Sequence, residues 1–254
     1  MNSSRRDIIR EIISSKPFIM LKDLEERFPN ISSMTLRRDI EYFEHQGEVI
    51  KVRGGARSMK FITTTMEDSY QHRTTENMFA KQRITERALE YIEVGRSIYL
   101  DSGTTMMKFA ANIPNQRLTI ITSGPNVAME ITKKSNPIVH LIGGMINREN
   151  ISISGGQAIH FLEDVNIDIA FLVPSGLTCN NAFTSGNYSE CELKQFVVQK
   201  ARKKIMLMDS SKLDKSLPYT FANFTDCDVI ITDQEMPEDI QRAAAENGVE
   251  IVVV

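Results

Sequence analysis

Apolar residues recur at helical spacing in three successive segments near the start of the chain, and they predict helices over Arg6–Ile13, over Leu21–Phe28 and from Ser32 onward. Two serines, Ser32 and Ser33, precede the third segment and are suited to cap its N-terminus. Its apolar side chains follow at i, i+4 and i+7, and they are Leu36, Ile40 and Phe43. A helix, a short helix, a tight turn and a longer helix form the order of a helix-turn-helix.

The face of the third helix opposite its apolar stripe carries two adjacent arginines, Arg37 and Arg38, near the helix N-terminus. This is where a recognition helix places the side chains that reach base edges, and Arg can hold guanine O6 and N7 together. The residues expected to contact DNA from this helix are Ser33, Met34, Thr35, Arg37 and Arg38. Taken alone, the two arginines fit a solvated helix face better than a DNA-binding face.

A short basic segment follows the third helix, which Gly47 is expected to end. Val49–Val52 predicts a strand, and Gly54 with Gly55 predicts a tight turn that needs positive φ. Basic side chains surround this turn at Lys51, Arg53 and Arg57. The pattern is typical of a wing, and Arg53 and Arg57 are expected to contact DNA.

Beyond residue 75 the chain alternates between apolar strand patterns and helical patterns. Seven strands are predicted: Ser97–Leu100, Leu118–Thr122, Ile138–Ile142, Ile167–Val173, Lys204–Met208, Val229–Thr232 and Val249–Val254. Helices are predicted from Asn77 to before Gly95 and over Thr104–Asn112, Asn126–Lys133, Gln157–Leu162, Glu190–Ala201 and Glu238–Asn247. Continuous apolar strands alternating with helices indicate a largely parallel sheet that is covered on both faces.

Small polar residues follow most of these strands, at the end where ligands bind to parallel sheets. The sequence Asp-Ser-Gly-Thr-Thr, residues 101–105, follows the first strand directly before a helix, where free backbone N–H groups can hold an anion. Small or polar residues also follow other predicted strands, at Ser123, at Gly143 and from Asp209 to Lys212. Each loop alone could be an ordinary helix cap or turn. As a set they predict an anion-binding crevice.

Composition narrows the class of protein. The chain has 254 residues, 41% of them hydrophobic, and a formal net charge of −3. Up to Arg57 there are 11 Lys and Arg against 9 Asp and Glu, and after it 19 against 24, so that the head is basic and the body acidic. Three scattered cysteines predict neither a disulfide framework nor a metal site. Without a signal peptide or an apolar run of about 18 residues, we expect a cytoplasmic protein.

The N-terminal residues resemble the helix-turn-helix domain of the DeoR family of bacterial transcription regulators. The resemblance rests on the sequence Thr-Leu-Arg-Arg-Asp at residues 35–39, on Gly47, and on Gly-Gly-Ala at residues 54–56, with Arg53 where the family usually has His. It also includes Leu24, Phe28, Ile31, Ser32 and Ile40.

The rest of the chain resembles the sensor domain of the same family, whose fold is similar to ribose-5-phosphate isomerase and the CoA transferases. The matching motifs are Asp101-x-Gly-Thr-Thr, Gly143-Gly144, Glu190-x-x-Leu-Lys194, Asp209-Ser-Ser-Lys212 and Ile230-Ile-Thr-Asp233. Departures lie beside the expected crevice, at Val173-Pro174-Ser175, at Ala182 where the family usually has Gly, and at Ser123-Gly124. They leave the identity of the effector open.

This resemblance implies an α/β protein with an N-terminal winged helix-turn-helix, residues 1–57, a linker, residues 58–75, and a larger sugar-phosphate-sensing and oligomerisation domain, residues 76–254. The implied phosphate ligands are Gly103, Thr104, Thr105 and Lys194, with Asp101 and Glu192 as partners for sugar hydroxyls. Ser123, Gly143 and Lys212 complete the expected effector site.

The expected function is a transcription regulator, acting as a repressor of a carbohydrate-metabolism operon. Its partners would be double-stranded operator DNA, a phosphorylated sugar or polyol, and further copies of itself in a homodimer or homotetramer, with no membrane. We expect no cofactor, metal or catalytic residue. Two alternatives stay open: the body could be an oligomerisation scaffold only, or the chain could be an isomerase-like enzyme that uses Asp101, Glu192, Lys194 and Asp209.

Overall fold

The computed structural model describes residues 5–16, 18–52, 54–59 and 70–254. It divides into two compact units, Met1–Met66 and Glu67–Val254. We call the first the head and the second the body.

The head contains three helices and a small antiparallel sheet. The elements are α1 (Arg5–Ser15), β1 (Phe18–Met20), α2 (Leu21–Arg27), α3 (Ser33–His45), β2 (Val49–Val52) and β3 (Gly55–Ser58), and the strand order is β1-β3-β2. One apolar core joins them and includes the predicted stripe, Leu36, Ile40 and Phe43, together with Ile9 and Leu24. Ser32 caps α3 as predicted, because its Oγ accepts a hydrogen bond from the Thr35 backbone N–H.

Strand β1 is a difference from the sequence prediction, which had no strand before the second helix. A three-residue strand carries too little pattern to be read from spacing alone. Its pairing with β3 also changes the interpretation of Gly55, which begins a strand and is not a turn residue. A Cβ atom at Gly55 would lie 2.0 Å from the Ile19 carbonyl oxygen, so this close approach of two strands requires glycine. The turn itself uses Gly54, at φ +88°.

A buried carboxylate fastens α1 to α3. The Asp39 side chain is 1% exposed, and its two oxygens accept hydrogen bonds from Arg5 Nε at 2.6 Å and Arg6 Nε at 3.0 Å. Burial by itself would raise the pKa of Asp39, but the hydrogen bonds from the two arginines outweigh it and hold the pKa below its usual value. The carboxylate is therefore ionised in the folded head near neutral pH.

The body begins with α4 (Tyr70–Thr75) and α5 (Met78–Ala88) and then alternates strands with helices. The elements on the main sheet are β4 (Ser97–Leu100), α6 (Thr104–Asn112), β5 (Thr119–Thr122), α7 (Pro125–Ile131), β6 (Ile138–Leu141), α8 (Gly156–Leu162), β9 (Ile167–Leu172), α9 (Tyr188–Lys200), β12 (Ala201–Leu207), β14 (Val229–Thr232), α10 (Glu238–Glu246) and β15 (Glu250–Val253). A hairpin, β7 (Met145–Asn147) and β8 (Ser152–Ser154), precedes α8. A small antiparallel sheet is formed by β10 (Gly176–Thr178), β11 (Ala182–Ser185) and β13 (Tyr219–Ala222).

The main sheet has seven parallel strands in the order β15-β14-β12-β9-β4-β5-β6. Successive side chains of a strand enter opposite cores, as the two-residue period of a strand requires. In β4, Ile98 and Leu100 pack with α5, α6 and α7, whereas Tyr99 packs with α8, α9 and α10 on the other face. The doubly covered parallel sheet predicted from the sequence is therefore present.

The strands and helices predicted for the body agree with these bounds to within a few residues. The prediction missed α4, the hairpin β7–β8 and the sheet β10-β11-β13. Helix α4 has no buried residue and therefore no apolar stripe to reveal it. It occupies the end of the expected linker, residues 58–75, of which residues 60–69 lie outside the described part of the chain. The domain limits stay a prediction. Within the described residues, no helix has the length and apolarity needed to cross a membrane.

Replacing the buried carboxylate tests how α1 is held. We expect Asp39→Asn to lower the free energy of unfolding of the head by about 1.5–3 kcal/mol near pH 7, since the hydrogen bonds from Arg5 and Arg6 lose their charged acceptor. Native-state hydrogen exchange of the α3 amides in the full chain measures this change.

The effect should depend on pH. Because the pKa of Asp39 is lowered in the folded head, its stabilisation is present above the unfolded pKa of about 3.9 and is lost as the pH falls through the folded value. The gap between wild type and variant should therefore narrow on acidification below about pH 4. Glu26→Gln, at an exposed side chain on α2, serves as the control. Equal exchange in wild type and Asp39→Asn at pH 7 would contradict the role assigned to Asp39.

Candidate functional sites

The exposed side of α3 is the first candidate site. Met34 is 65% exposed, and the side chains of Arg37 and Arg38 are also exposed. Neither arginine makes a hydrogen bond to any described residue, so the guanidinium donors of both are available to a ligand, although, after the hydrogen bond from Lys51, the charge of Arg38 helps to lower the pKa of Glu41. Ser33 is exposed and Thr35 is half-buried, with its hydroxyl 3.0 Å from the Ser32 hydroxyl. The structure thus places the five predicted residues of this helix at or near one surface.

The wing lies beside α3 in the head. Its strand β2 is tied to α3 by Lys51, whose Nζ lies 2.6 Å from Glu41 Oε1 and whose backbone N–H donates to Glu44 Oε1. Lys51 therefore orients the wing. Arg57 on β3 is exposed, whereas Arg53 lies outside the described residues.

The second candidate site lies at the carboxyl ends of the parallel strands in the body. The chain proceeds from β4 to β5 and β6 on one side, and the later strands β9, β12, β14 and β15 lie on the other side of β4. The boundary between β4 and β9 is therefore the topological switch point, where open α/β sheets form a crevice. Residues 101–105 follow β4 at this point, and Val173 follows β9.

A buried ion pair occupies the switch point. Asp101 is 2% exposed and Lys194, from α9, is 7% exposed at its side chain, with Nζ 2.8 Å from Asp101 Oδ2. Both side chains also bind the Val173 backbone: its N–H donates to Asp101 Oδ2 at 2.9 Å, and its carbonyl accepts from Lys194 Nζ at 2.6 Å. The ammonium also lies 5.0 Å from the centroid of the Phe221 ring. The contacts that Asp101 and Lys194 make at Val173 are thus to main-chain atoms, so the departure from the family pattern at this residue does not remove them.

The start of α6 offers backbone donors next to this ion pair. Gly103 is the N-cap residue of α6, at φ +113°, and it supplies no side-chain cap. The first intrahelical bond runs from the Met107 N–H to the Gly103 carbonyl, which leaves the amides of the first turn without helical partners. Thr104 and Thr105 are buried in that first turn. This is the geometry in which a helix N-terminus binds an anion.

A second group of charges surrounds Asp209, which follows β12 and is buried. Its Oδ1 accepts hydrogen bonds from Asn77 Nδ2 at 2.8 Å and from the Ser211 N–H at 3.1 Å. Burial would raise the pKa of Asp209, but the hydrogen bond from Ser211 and the positive charges of Lys212 and Lys81 hold the pKa below its usual value. Burial lowers the pKa of Lys81, and the nearby Asp209 charge opposes that shift. We call Asp209 and these neighbours the Asp209 cluster.

Glu190, two residues before the predicted Glu192, is a buried residue that the sequence analysis did not select as a ligand. Its carboxylate accepts hydrogen bonds from Ser152 Oγ at 2.5 Å, Asn147 Nδ2 at 2.9 Å and Asn150 Nδ2 at 3.1 Å. Glu192 is half-buried, and its carboxylate raises the pKa of the Tyr188 phenol through a hydrogen bond and its negative charge. Helical spacing alone could have indicated that Glu190 is buried beside Lys194. The two residues are four positions apart and share a face of α9, whereas Glu192 lies on a different face.

The remaining predicted effector residues lie on the same set of loops. Ser123 is buried and its carbonyl accepts from the Ile153 N–H at 2.8 Å, Gly143 is exposed, and Lys212 belongs to the turn after Asp209. Ala182, where the family usually has Gly, has φ +46°. A residue with a Cβ atom is strained in this region, which gives a physical reason for the usual glycine.

Comparison with known proteins identifies both halves of the chain. The sequence profile of the DeoR-like helix-turn-helix domain matches residues 5–61, and that of the DeoR C-terminal sensor domain matches residues 76–234. The chain belongs to the DeoR family. This membership confirms the expected combination of an N-terminal helix-turn-helix with a larger α/β sensor domain.

Relatives match this DeoR-family chain over nearly its full length. An uncharacterized HTH-type transcriptional regulator from Haemophilus influenzae is 32% identical over 99% of this chain and 97% of the relative. The HTH-type transcriptional regulator GlpR from Haloferax volcanii is 29% identical over 98% of this chain and 97% of the relative. The putative aga operon transcriptional repressor from Escherichia coli O157:H7 is 27% identical over 99% of this chain and 94% of the relative.

Among solved structures, ribose 5-phosphate isomerase A from Methanocaldococcus jannaschii aligns with a TM-score of 0.42 and 19% identity, over 55% of this chain and 56% of that chain.

The full-length relatives are HTH-type transcriptional regulators. They confirm that this DeoR-family protein is a DNA-binding regulator and not an enzyme.

A double-mutant cycle on the switch-point ion pair tests whether Asp101 and Lys194 depend on each other. Asp101→Asn or Lys194→Met alone leaves one buried charge without its partner, so each should lower the free energy of unfolding of the body by about 3–5 kcal/mol. The double variant should lose less than the sum of the two, since neither charge is then left alone. Urea denaturation followed by circular dichroism measures all four proteins.

The exposed pair Glu93 and Arg96 provides the matched control for this cycle, with N···O at 2.8 Å. Glu93→Gln, Arg96→Met and their combination should each change stability far less than the changes at the buried pair, because solvent screens an exposed ion pair. Additive losses in the Asp101 and Lys194 cycle would show that the two side chains contribute independently, against the coupling argued from their geometry.

Proposed function

We propose that this DeoR-family protein is a repressor of a carbohydrate-metabolism operon and that a phosphorylated sugar or polyol, bound in the body, controls its grip on operator DNA. The observation that carries the proposal is the uncapped N-terminus of α6 beside the buried Lys194 at the switch point. A phosphate ester combines a dianion for such a helix start with hydroxyl groups for the polar side chains around it.

The DNA contacts are assigned to the exposed face of α3 and to the wing. Ser33, Met34, Thr35, Arg37 and Arg38 would enter the major groove, with the two arginines reading guanine edges. Arg53 and Arg57 of the wing would bind the phosphate backbone and fix the register of the head. The availability of both α3 arginines, which make no hydrogen bond to a described residue, supports this assignment.

The effector contacts are assigned to two parts of the crevice. The backbone N–H groups of Gly103, Thr104 and Thr105, the hydroxyls of the two threonines and the Lys194 ammonium would hold the phosphate. Asp101 and Glu192 would accept hydrogen bonds from sugar hydroxyls, and Ser123, Gly143 and Lys212 would line the site. Lys194 is already engaged with Asp101, so an incoming phosphate would compete with that carboxylate for the ammonium.

Repression that an effector relieves requires that the effector bind the free protein more tightly than the DNA-bound protein. Operators of helix-turn-helix proteins contain repeated half-sites, which are read by symmetric oligomers. We therefore propose a homodimer or homotetramer as the DNA-binding form. The alternative, in which the body is an oligomerisation scaffold without a ligand, stays open and is separated by the binding experiment below.

Removing one recognition arginine should weaken operator binding. We expect Arg38→Ala to cost about 1–3 kcal/mol of binding free energy and to relax the base preference at one position of each half-site. Fluorescence anisotropy with DNA selected from a random pool by the wild-type protein measures the loss. Arg83→Ala, at an exposed arginine of the body, is the matched control and should bind as wild type. An unchanged affinity and base preference in Arg38→Ala would refute the recognition-helix assignment.

Thermal melting of the full chain tests the effector site. Ribose 5-phosphate, glucose 6-phosphate, fructose 1-phosphate and glycerol 3-phosphate would each be compared with the unphosphorylated parent and with inorganic phosphate. A ligand at about 100 times its dissociation constant should stabilise the body by about 2.7 kcal/mol. We expect one phosphate ester to raise the melting temperature and its parent to leave it unchanged.

The variant Thr104→Ala makes this experiment specific to the start of α6. It should abolish or reduce the shift, because Thr104 is buried in the first turn where the phosphate would bind. Thr132→Ala, at an exposed threonine just after α7, should keep the full shift. If no phosphate ester shifts the melting temperature across a wide panel, the scaffold alternative is favoured instead.

A further inference from the structure

Helix α4 and the two residues after it, Tyr70–Asn77, lie along the carboxyl edge of the body sheet without an apolar face of their own. We call this segment the strap. None of the residues of α4 is buried, so the strap is held by hydrogen bonds and not by a core. In the sequence it lies between residues 60–69, where the head ends and the body begins, and α5, the first helix packed on the sheet.

The hydrogen bonds of the strap run to three separate places that follow strands of the body. Asn126 Nδ2, in the first turn of α7 after β5, donates to the Tyr70 phenol oxygen at 2.5 Å. Arg73 Nη2 donates to Asn150 Oδ1 in the β7–β8 turn at 2.7 Å, and Asn77 Nδ2 donates to Asp209 Oδ1 after β12 at 2.8 Å. The strap is therefore hydrogen-bonded to groups on both sides of the switch point.

Two of these contacts lead directly to residues assigned to the effector. Arg73 binds Asn150, Asn150 binds Glu190, and Glu190 lies one helical turn before Lys194 on α9. On the other side, the Asp209 carboxylate that binds Asn77 is also held by the charge of Lys212. An anion that attracts Lys194 or Lys212 therefore acts on groups that hold the strap.

A buried lysine reinforces the C-terminal end of the strap. Lys81 on α5 is 4% exposed, and its Nζ donates to the carbonyl oxygens of Arg73 at 2.5 Å and Glu76 at 2.8 Å. The negative charge of Asp209 favours the charged form of Lys81 against the effect of burial on its pKa. Because Asp209 supports both Asn77 and Lys81, a change at Asp209 reaches the strap at two points.

We propose that the strap transmits the state of the crevice to the head, with Tyr70, Arg73 and Asn77 as positioning residues that hold it in the DNA-binding state. This inference rests on the proposed function of the crevice as an anion site. A segment without a buried residue, held by hydrogen bonds alone, is one that opens locally before the rest of a domain. Anion binding would redistribute the hydrogen bonds of the loops and release the strap.

The test releases the strap without any ligand. The double variant Tyr70→Phe and Asn77→Gly removes the phenol oxygen and the amide while keeping the aromatic ring and the positive φ of residue 77, which is +51°. Gln71→Ala, at an exposed residue of the same helix, is the matched control. Each full-length protein would be compared with wild type by hydrogen exchange of residues 70–77 and by affinity for the DNA selected by the wild-type protein.

We expect the double variant to exchange faster at residues 70–77 and to bind operator DNA at least tenfold more weakly without ligand, whereas Gln71→Ala matches wild type in both. A purely structural role would lower the melting temperature of the body and leave operator affinity unchanged. Faster exchange with unchanged operator affinity would overturn the proposal. Unchanged exchange would overturn it as well, because the named contacts would then not hold the strap.

A second arm adds inorganic phosphate, at ionic strength matched with potassium chloride, to the wild-type protein. Slower exchange of the α6 first-turn amides together with faster exchange of residues 70–77 is the expected result. Protection of α6 without any change in the strap would overturn the inference and leave the anion site standing. If α6 gains no protection, the proposed anion site fails, and the ligand-free comparison of the variants still decides the role of the strap.

Discussion

Parallel pairing of the seven strands is the constraint on which the body depends. Every parallel connection must return to the opposite end of the sheet, so helices cover both faces and the loops after the strands gather at one edge. The change of direction between β4 and β9 separates two of these loops, and this is the place where sheets of this kind form a crevice. Asp101 and Val173 are neighbours for this reason, although 72 residues separate them in the chain. The proposed anion site, the Asp209 cluster and the strap contacts all use segments that this topology brings together.

Both units use a buried carboxylate to orient a functional helix or loop. In the head, Asp39 turns inward to Arg5 and Arg6, and the helix period then requires its neighbours Arg37 and Arg38 to point outward. In the body, Asp101 binds Lys194 and the Val173 backbone at once. Buried charges add little net stability, because desolvation offsets their attraction. Their value here is geometric, since each carboxylate accepts several hydrogen bonds that only one arrangement of the surrounding elements can supply.

Long periodic elements were predictable from the sequence, and short or irregular ones were not. The stripe of Leu36, Ile40 and Phe43 is buried as its spacing predicted, and β4 spans the predicted residues. Strands β1, β7 and β8 have three residues each, too few for a period to appear, and the strap has no apolar face. Ala182 at positive φ shows a further limit, because backbone strain depends on the pairing of β11 and not on local preference.

Regulation by a ligand requires a difference in its interactions between two states of the protein. A phosphate at the start of α6 would meet an ammonium that already has a partner, so binding must change the contacts of Lys194, Asp101 or both. Helix α9 carries that ammonium and Glu190 on the same face, and Glu190 holds the turn that contains Asn150. A change in the contacts of Glu190 would thus be transferred to a hydrogen bond of the strap through Asn150. Because α9 also packs in the apolar core, which is close-packed and resists deformation, these side-chain hydrogen bonds are the route along which a small ligand would act.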